Sequence, residues 1–192
     1  MKKLNLGCGQ FSKKGFINAD ISMDTPADIF CDLSKMPYPF KDNSFELVIA
    51  EHVLEHLENP FEAMKEISRI LIPGGRVIIK VPHFSRGFTH PEHKRGFDVS
   101  FYYYFYPDCK AGYTGLNMNF KSVTMKWFAQ EYLKKTVLSS HLYIICKTIG
   151  TILDFLANLS PFFCSRVWAF WVGGFEEIEF QFIKPGSDKK NE

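Results

Sequence analysis

The opening residues constrain the fold of this chain more than any other segment. A short apolar run, Leu4–Leu6, passes directly into the turn Gly7-Cys8-Gly9. Glycine has no Cβ, so its backbone adopts positive φ at low cost and lets a ligand approach the main chain closely. A second apolar run ends on the carboxylate of Asp20. A glycine turn followed by such an acid is how an open α/β sheet holds a nucleoside, with the acid on the ribose hydroxyls.

Short apolar runs alternate with helical or turn segments over residues 1–81. Such alternation is typical of a parallel sheet in one α/β domain. Pro60 suits a first helical position, apolar residues follow at helical spacing as far as Leu71, and Pro73-Gly74-Gly75 is predicted to stop this helix. The strands predicted in this part are Lys3–Leu6, Phe16–Asp20, Asp28–Cys31, Phe45–Ala50 and Arg76–Val81.

The segment between Gly9 and Asp20 is too short for the usual connection between parallel strands. A crossover helix with its loops needs roughly ten to twelve residues or more. We therefore expect a loop or a single turn to join the first two strands.

The second half is rich in aromatic residues and contains two predicted apolar helices, Leu142–Leu159 and Pro161–Val172. They belong either to the core and a lid, or to a surface that meets a membrane. Lys147 and Asp154 interrupt the apolar run, which argues against a transmembrane span. The polar stripe also lacks the basic character of interfacial helices, so core packing is favoured and a peripheral membrane contact through residues 142–172 is the alternative. The remaining elements predicted are an aromatic block, Phe101–Tyr106, and strands at Phe120–Phe128 and Glu176–Ile183.

Composition excludes several classes of protein. The formal net charge of +2 creates no strong field that would favour nucleic acid. The five cysteines form no disulfide or zinc-ligand pattern, and no secretory signal precedes the first strand, so we expect a cytoplasmic protein with reduced thiols. Without repeats or linkers, we expect one domain over residues 1–192, with a cofactor half (1–81), acceptor and lid elements (82–175) and a last strand (176–183).

Four sequence strings carry a family resemblance, and they are Phe40–Glu46, Glu51–Leu57, Leu71–Gly75 and Val81–Ser85. They resemble class I S-adenosylmethionine-dependent methyltransferases, in particular the small type-11-like enzymes of bacterial and archaeal surface-polysaccharide clusters. The resemblance implies a three-layer, Rossmann-like α/β fold whose mostly parallel sheet has an antiparallel last strand. It implies O-methylation of a sugar or glycan hydroxyl; a lipid, quinone or small-metabolite acceptor and a non-catalytic cofactor-binding protein are the alternatives.

The same resemblance implies roles for residues of the cofactor half. The glycine turn runs beneath the methionine part of the cofactor, Asp20 binds the ribose hydroxyls, and Asp32 with Leu33 meets the adenine. Glu51 and His52 border the sulfonium and the acceptor. Asn5 stands where the family usually has an acid. The cofactor-binding residues predicted are Asn5, Gly7, Cys8, Gly9, Asp20, Ile21, Asp32, Leu33, Glu51 and His52.

Histidines supply the candidate catalytic groups, predicted as His83, His52 and His93. His83 directly follows a strand, and a histidine with a pKa near neutrality suits removal of a proton from an alcohol. Loop hydrogen bonds, or a metal site with His90 and Asp98, are the alternatives for this group. The i,i+4 spacing of His52 and His56 also suits a metal, but packing of Glu55 and His56 against the next helix is favoured, so no metal ligand is predicted.

Overall fold

A seven-stranded sheet organises the protein, whose computed structural model describes residues 2–87, 90–109, 112–116 and 118–186. The strand order is β3-β2-β1-β4-β5-β7-β6. Strands β1 to β5 pair in parallel, and β7 is antiparallel to both β5 and β6. The predicted fold class is confirmed. The strands are β1 (Lys2–Leu6), β2 (Ile17–Asp20), β3 (Ile29–Phe30), β4 (Phe45–Glu51), β5 (Leu71–Pro82), β6 (Asn119–Lys126) and β7 (Glu177–Ile183).

The first two strands are joined without an α-helix, as expected. Side-chain hydrogen bonds hold the connecting loop instead. Asn5 Nδ2 donates to Asn18 Oδ1 (3.0 Å) and to the carbonyl of Phe11 (3.2 Å). The backbone N–H of Lys13 donates to the same Asn18 oxygen at 2.7 Å. These bonds fix the glycine turn above the sheet.

Helix α1 (Pro60–Ile70) begins at an N-cap and ends earlier than predicted. The Asn59 side chain accepts from two backbone N–H groups of the first turn, which satisfies donors that the helix leaves unpaired. Leu71 already belongs to β5 and pairs with Phe45, so the expectation that Pro73-Gly74-Gly75 stops the helix was wrong. Sheet pairing takes Leu71, and the proline and glycines lie where the register between β4 and β5 shifts.

The aromatic block packs into the core as a 3₁₀ helix, Val99–Phe105. The ring of Phe101 contacts Phe61 of α1 and Phe180 of β7, with centroids 5.7 and 5.6 Å apart. Phe105 is fully buried against Phe182, with centroids at 5.2 Å. The aromatic side chains therefore fill the space between α1 and the antiparallel end of the sheet.

Helix α3 (Ser140–Leu159) covers the free edge of β6. The Asn158 side chain accepts from Met125 N and donates to Met125 O, both at 2.9 Å, and Asp154 accepts from Trp127 N. The polar stripe of the helix thus replaces a neighbouring strand, which protects an exposed sheet edge. Two shorter helices flank it. They are α2 (Glu131–Val137), which was not predicted, and α4 (Pro161–Arg166), which ends six residues before the predicted Val172 and is followed by the 3₁₀ helix Trp168–Phe170.

The outward face of α3 is exposed, so the expectation that this helix packs mainly in the core was wrong. Within α3 only Gly150 and Ala157 are buried. Among the described residues α3 is the one helix long and apolar enough to cross a membrane, with a mean hydropathy of 1.5 over its best window. The apolar surface of this region, called the α3 face below, consists of Leu142, Ile144, Ile145, Ile149, Ile152, Phe155, Leu156 and Leu159, with Phe162, Phe163, Phe170 and Trp171 beside it.

Candidate functional site

A cleft of about 810 Å³ opens at the carboxyl ends of β1 and β4, and we call it the glycine cleft. Open α/β sheets bind ligands at this edge. One wall comes from the glycine turn and β4, and the opposite wall comes from residues 126–133 and β7. Its lining includes Asn5, Gly7, Cys8, Gly9, Lys13, Glu51, His52, Lys80, Lys126, Phe128, Gln130 and Glu177.

Charged groups are paired inside the glycine cleft. Glu51 ends β4, and its carboxylate binds the ammonium groups of Lys13 and Lys80, each at 2.8 Å. Burial raises the pKa of Glu51, but the two lysines outweigh it and hold the pKa below its usual range. The cleft therefore presents fixed charges of both signs, which suits a zwitterionic ligand.

Asp20 ends β2 and supports the glycine turn. Its Oδ2 accepts from the backbone N–H of Gly9 at 2.8 Å, and its Oδ1 accepts from Ser22 N at 3.0 Å. Gly7 and Gly9 both have positive φ, +64° and +49°. The predicted turn and acid are thus joined by a direct hydrogen bond.

The other predicted cofactor residues lie at different depths around this edge. Leu33 is buried, whereas Ile21 is exposed beyond β2. Asp32 follows β3, and its Oδ1 accepts from the N–H and hydroxyl of Ser34. Cys8, the middle residue of the glycine turn, is buried, and its backbone N–H donates to the carbonyl of Ala19. Asn5 lines the cleft, but its side-chain amide donates its hydrogen bonds to Phe11 and Asn18 of the loop described above.

His52 separates the glycine cleft from a second cavity. It has φ of 54°, and its Nε2 lies 3.0 Å from Glu177 Oε2 while its Nδ1 lies 3.3 Å from Glu55 Oε1. Burial lowers the pKa of His52, but the two carboxylates outweigh it and raise the pKa to about 9. At neutral pH His52 is therefore a cation, which cannot accept a proton.

The second cavity, of about 640 Å³, is called the histidine pocket. It shares His52, Ala129 and Gln130 with the glycine cleft, so the two cavities adjoin at these residues. Its remaining lining is predominantly polar and comprises His56, Pro82, Arg86, His90, His93, Lys134 and Glu176.

His83 does not lie in a position to act as the base that the sequence predicted. It is fully buried and lines neither cavity. Its Nε2 donates to Ser165 Oγ at 2.8 Å, and Ser165 in turn donates to Asp98. Its Nδ1 accepts from the backbone N–H of Ser85. Burial lowers the pKa of His83 to about 4, so it is a neutral group that fixes the end of β5 to α4.

The other histidines form a separate cluster. The rings of His56, His90 and His93 meet in the histidine pocket, with the His56 and His93 centroids 4.9 Å apart. Asp98 does not join them, since it binds Arg166 and the hydroxyls of Ser100 and Ser165. Of the favoured alternatives for Glu55 and His56, capping of α1 is not observed, because Asn59 caps that helix, whereas the 3₁₀ turn Leu54–His56 that holds them does contact α1.

Sequence reasoning missed the residues that the second half contributes to the glycine cleft. Lys126, Phe128, Gln130 and Glu177 come from β6, the loop after it and β7. Lys80 gave a usable signal, because a lysine inside the apolar run of β5 needs a buried partner. For the others no local pattern exists, since only the pairing of β7 with β5 brings them to this edge.

Comparisons with known proteins agree with the fold. Residues 18–79 match the family described as "Methyltransferase domain". A sterol 4-C-methyltransferase of Caenorhabditis elegans is 36% identical over 70 residues, covering 36% of this chain and 20% of that protein. A SAM-dependent methyltransferase from Archaeoglobus fulgidus has a TM-score of 0.57 at 17% identity, covering 95% of this chain and 86% of that one. The chain spans about a fifth of the length of the curated relatives it matches.

Strand order, the antiparallel β7 and the position of the glycine turn define a Rossmann-like methyltransferase fold. The matched segment, which spans β2 to β5, is similar to a methyltransferase domain, and solved structures with this fold include S-adenosylmethionine-dependent methyltransferases. The cofactor of this class is S-adenosylmethionine.

Proposed function

We propose that the protein transfers the methyl group of S-adenosylmethionine to a hydroxyl of a sugar- or glycan-type acceptor, in surface-polysaccharide synthesis. The observation that carries this proposal is that the glycine cleft adjoins the polar histidine pocket at His52. Two adjoining sites place donor and acceptor next to each other, and positioning supplies much of the catalysis of a displacement. When bound, S-adenosylmethionine supplies an electrophilic methyl group.

The residues of the glycine cleft fit this cofactor by size and charge. A volume of about 810 Å³ is in the range of cofactor sites. Lys13 and Lys80 suit its carboxylate, and Glu51 suits its ammonium group and its sulfonium charge. We propose that Asp20 accepts hydrogen bonds from the ribose hydroxyls; its side chain does not itself line the cleft, and its hydrogen bond from Gly9 links it to the turn that does.

The histidine pocket fits a polyhydroxylated acceptor. His93, Arg86, Lys134 and Glu176 offer donors and acceptors along its wall. Glu176 is held by Arg86 at 2.9 Å and by Lys134, so these side chains are preorganised. Transfer breaks the bond between methyl carbon and sulfur, whose electron pair stays on sulfur, and forms a carbon–oxygen bond while the hydroxyl proton passes to solvent.

Replacing Asp20 tests the cofactor half of the proposal. We expect Asp20→Ala to weaken binding of S-adenosylmethionine and S-adenosylhomocysteine roughly tenfold or more, because charge-assisted hydrogen bonds are lost. Isothermal titration calorimetry measures this, with the exposed Asp24→Ala as the matched control. Methyl transfer to nucleotide sugars and glycans, compared with quinones and amines, then tests the acceptor. Failure of the wild-type protein to bind either nucleoside would overturn the proposed activity.

A lipid- or quinone-type acceptor is the second candidate, and an apolar groove favours it. This groove of about 370 Å³ shares Arg86, Lys134 and Glu176 with the histidine pocket. Its other walls include Trp127, Leu133, Val137 and Leu138, beside α3. An acceptor with a polar head and an apolar chain would occupy the pocket and the groove together.

The α3 face adds support for an acceptor held in a membrane, and we propose that it contacts a bilayer surface. The hydroxyls of Thr148 and Thr151 donate hydrogen bonds to carbonyls of their own helix, so these two donors on the exposed side are already satisfied. The single acid of the helix, Asp154, is turned inward to β6. Because its polar stripe is bonded to the sheet edge, α3 would lie along the membrane surface rather than cross it.

Vesicle flotation tests this contact. We expect the protein to float with phosphatidylcholine–phosphatidylglycerol vesicles and Ile152→Glu to lose most of this binding, since a carboxylate on the face opposes burial in acyl chains. Met23→Glu, at an exposed apolar residue after β2, is the matched control and should still float. A dimer of the wild-type protein in solution that Ile152→Glu dissociates, without vesicle binding, would contradict the membrane contact.

A further inference from the structure

Three side chains with metal-binding atoms meet at the wall of the histidine pocket. One carboxylate oxygen of Glu55 and one ring nitrogen each of His56 and His93 all lie within 4.8 Å of one another. We propose that Glu55, His56 and His93 form a binding site for a divalent transition-metal ion, with zinc as its best occupant.

The carboxylate of Glu55 is the first argument. Glu55 is fully buried, and neither of its oxygens accepts a hydrogen bond from the described residues. His52 Nδ1 approaches one oxygen at 3.3 Å without the alignment of a hydrogen bond, and His93 Nε2 lies 3.9 Å from the same oxygen. Although the His52 cation lies nearby, a buried carboxylate that accepts no hydrogen bond keeps unsatisfied lone pairs, and a bound metal ion would take up one of them.

The orientation of the two imidazoles is the second argument. His93 Nδ1 donates to the carbonyl of Gly87 at 2.6 Å, and His56 Nδ1 donates to the carbonyl of Glu92 at 3.3 Å. Each bond places the proton on Nδ1 and leaves the lone pair of Nε2 free. Metal-binding histidines are held in the same way, by donation of the other ring N–H to a backbone carbonyl or a carboxylate.

The donor set selects the ion. Two imidazoles and one carboxylate are a known ligand set of catalytic zinc, which keeps a further position for water or substrate. Magnesium and calcium prefer oxygen ligands and are disfavoured here. Zinc ligands about 2.1 Å from the ion stand roughly 3.4 Å apart, so the three groups need to close by about an ångström.

The site faces the proposed acceptor. His56 and His93 line the same cavity as His52, which borders the glycine cleft. The open position of the ion could therefore take an acceptor oxygen, and a metal lowers the pKa of a bound hydroxyl. Binding of the ion does not depend on the proposed methyl transfer. The role of the ion in holding the acceptor does rest on that proposed function.

Titration of metal-free protein with ZnCl₂ tests the site by calorimetry. We expect one ion per chain, and a loss of affinity of roughly 100-fold or more in Glu55→Gln and in His93→Ala, since each removes a ligand. His141→Ala, at an exposed histidine of α3, is the matched control and should bind as the wild type does. Cobalt chloride provides a second readout, because four-coordinate cobalt gives intense visible absorption that the two variants should lack.

Equal zinc binding by the wild type, Glu55→Gln and His93→Ala would overturn the proposed site, as would absence of binding in the wild type. Calorimetry of the same variants with S-adenosylhomocysteine separates this outcome from failure of the proposed function. If nucleoside binding persists while zinc binding is absent, the metal site is wrong and the methyltransferase proposal stands. Retained nucleoside binding in Glu55→Gln also shows that the variant is folded.

Discussion

Acidification from pH 7.5 to pH 4.5 should lower the free energy of unfolding of the wild-type protein by about 2.5 kcal/mol through His83 alone. The folded pKa of His83 is about 4, because its ring is buried, whereas an unfolded histidine titrates near 6.5. Between these values the unfolded state binds a proton that the folded state does not. Stability is therefore fully retained above about pH 6.5 and falls as the pH drops towards 4.

His83→Gln should remove this dependence, because glutamine can keep a hydrogen bond to Ser165 but does not titrate. Urea unfolding at pH 7.5, 6, 5 and 4.5 measures the effect, and above pH 4.5 most carboxylates are still ionised. Asp98 and Arg166 face His83 through Ser165 and stay unchanged in the variant. His141→Gln, which alters an exposed histidine, should retain the wild-type slope. An unchanged slope in His83→Gln would show that His83 is not the buried neutral group described.

Gly7→Ala should weaken binding of S-adenosylmethionine by more than tenfold and lower the unfolding free energy by about 2–4 kcal/mol. Gly7 has φ of +64°, where an L residue is strained. An added Cβ would also lie 2.3 Å from Cγ2 of Val53, a stiff β-branched side chain at the edge of the core. The turn has to move, and the floor of the glycine cleft moves with it.

Gly15→Ala is the control that introduces backbone strain without displacing the glycine turn. Gly15 has φ of +82°, but nothing lies within 4 Å of an added Cβ there, and it does not line the glycine cleft. It should lose about 1–2 kcal/mol of stability and keep nucleoside affinity within a factor of about two. Calorimetry and urea unfolding of both variants provide the comparison. If both variants lost nucleoside affinity equally, the clash with Val53 would not be the cause of the weaker binding in Gly7→Ala.

Much of the fold could be predicted because its signals are local. Strands β1, β2, β4 and β7 are continuous or alternating apolar runs, and their types and approximate bounds were correct. The loop between β1 and β2 followed from chain length alone. Helix ends were harder, because the end of α1 at Ile70 depends on the pairing of Leu71 with Phe45, which the sequence does not display.

The candidate site was predictable where a residue follows directly from a strand end. Glu51 and His52, which the resemblance placed at the cofactor, line the cleft at the end of β4 and directly after it. His83 was misplaced by the same reasoning, since the position after a strand says nothing about burial. Only its contacts with Ser165 and Ser85 show that its ring points into the protein.

By itself, the sequence determined the parallel sheet and the glycine turn with its acid, because these depend on backbone freedom and periodicity within short segments, and the similarity to methyltransferases came from the resemblance of short sequence strings. Only the tertiary structure decided which histidines meet, that Glu55 is buried without a hydrogen bond, and that the apolar side of α3 faces outward. Each of these depends on residues far apart in the chain that the antiparallel β7 and the segments around it bring together. A long-range contact of this kind leaves no pattern in a single sequence.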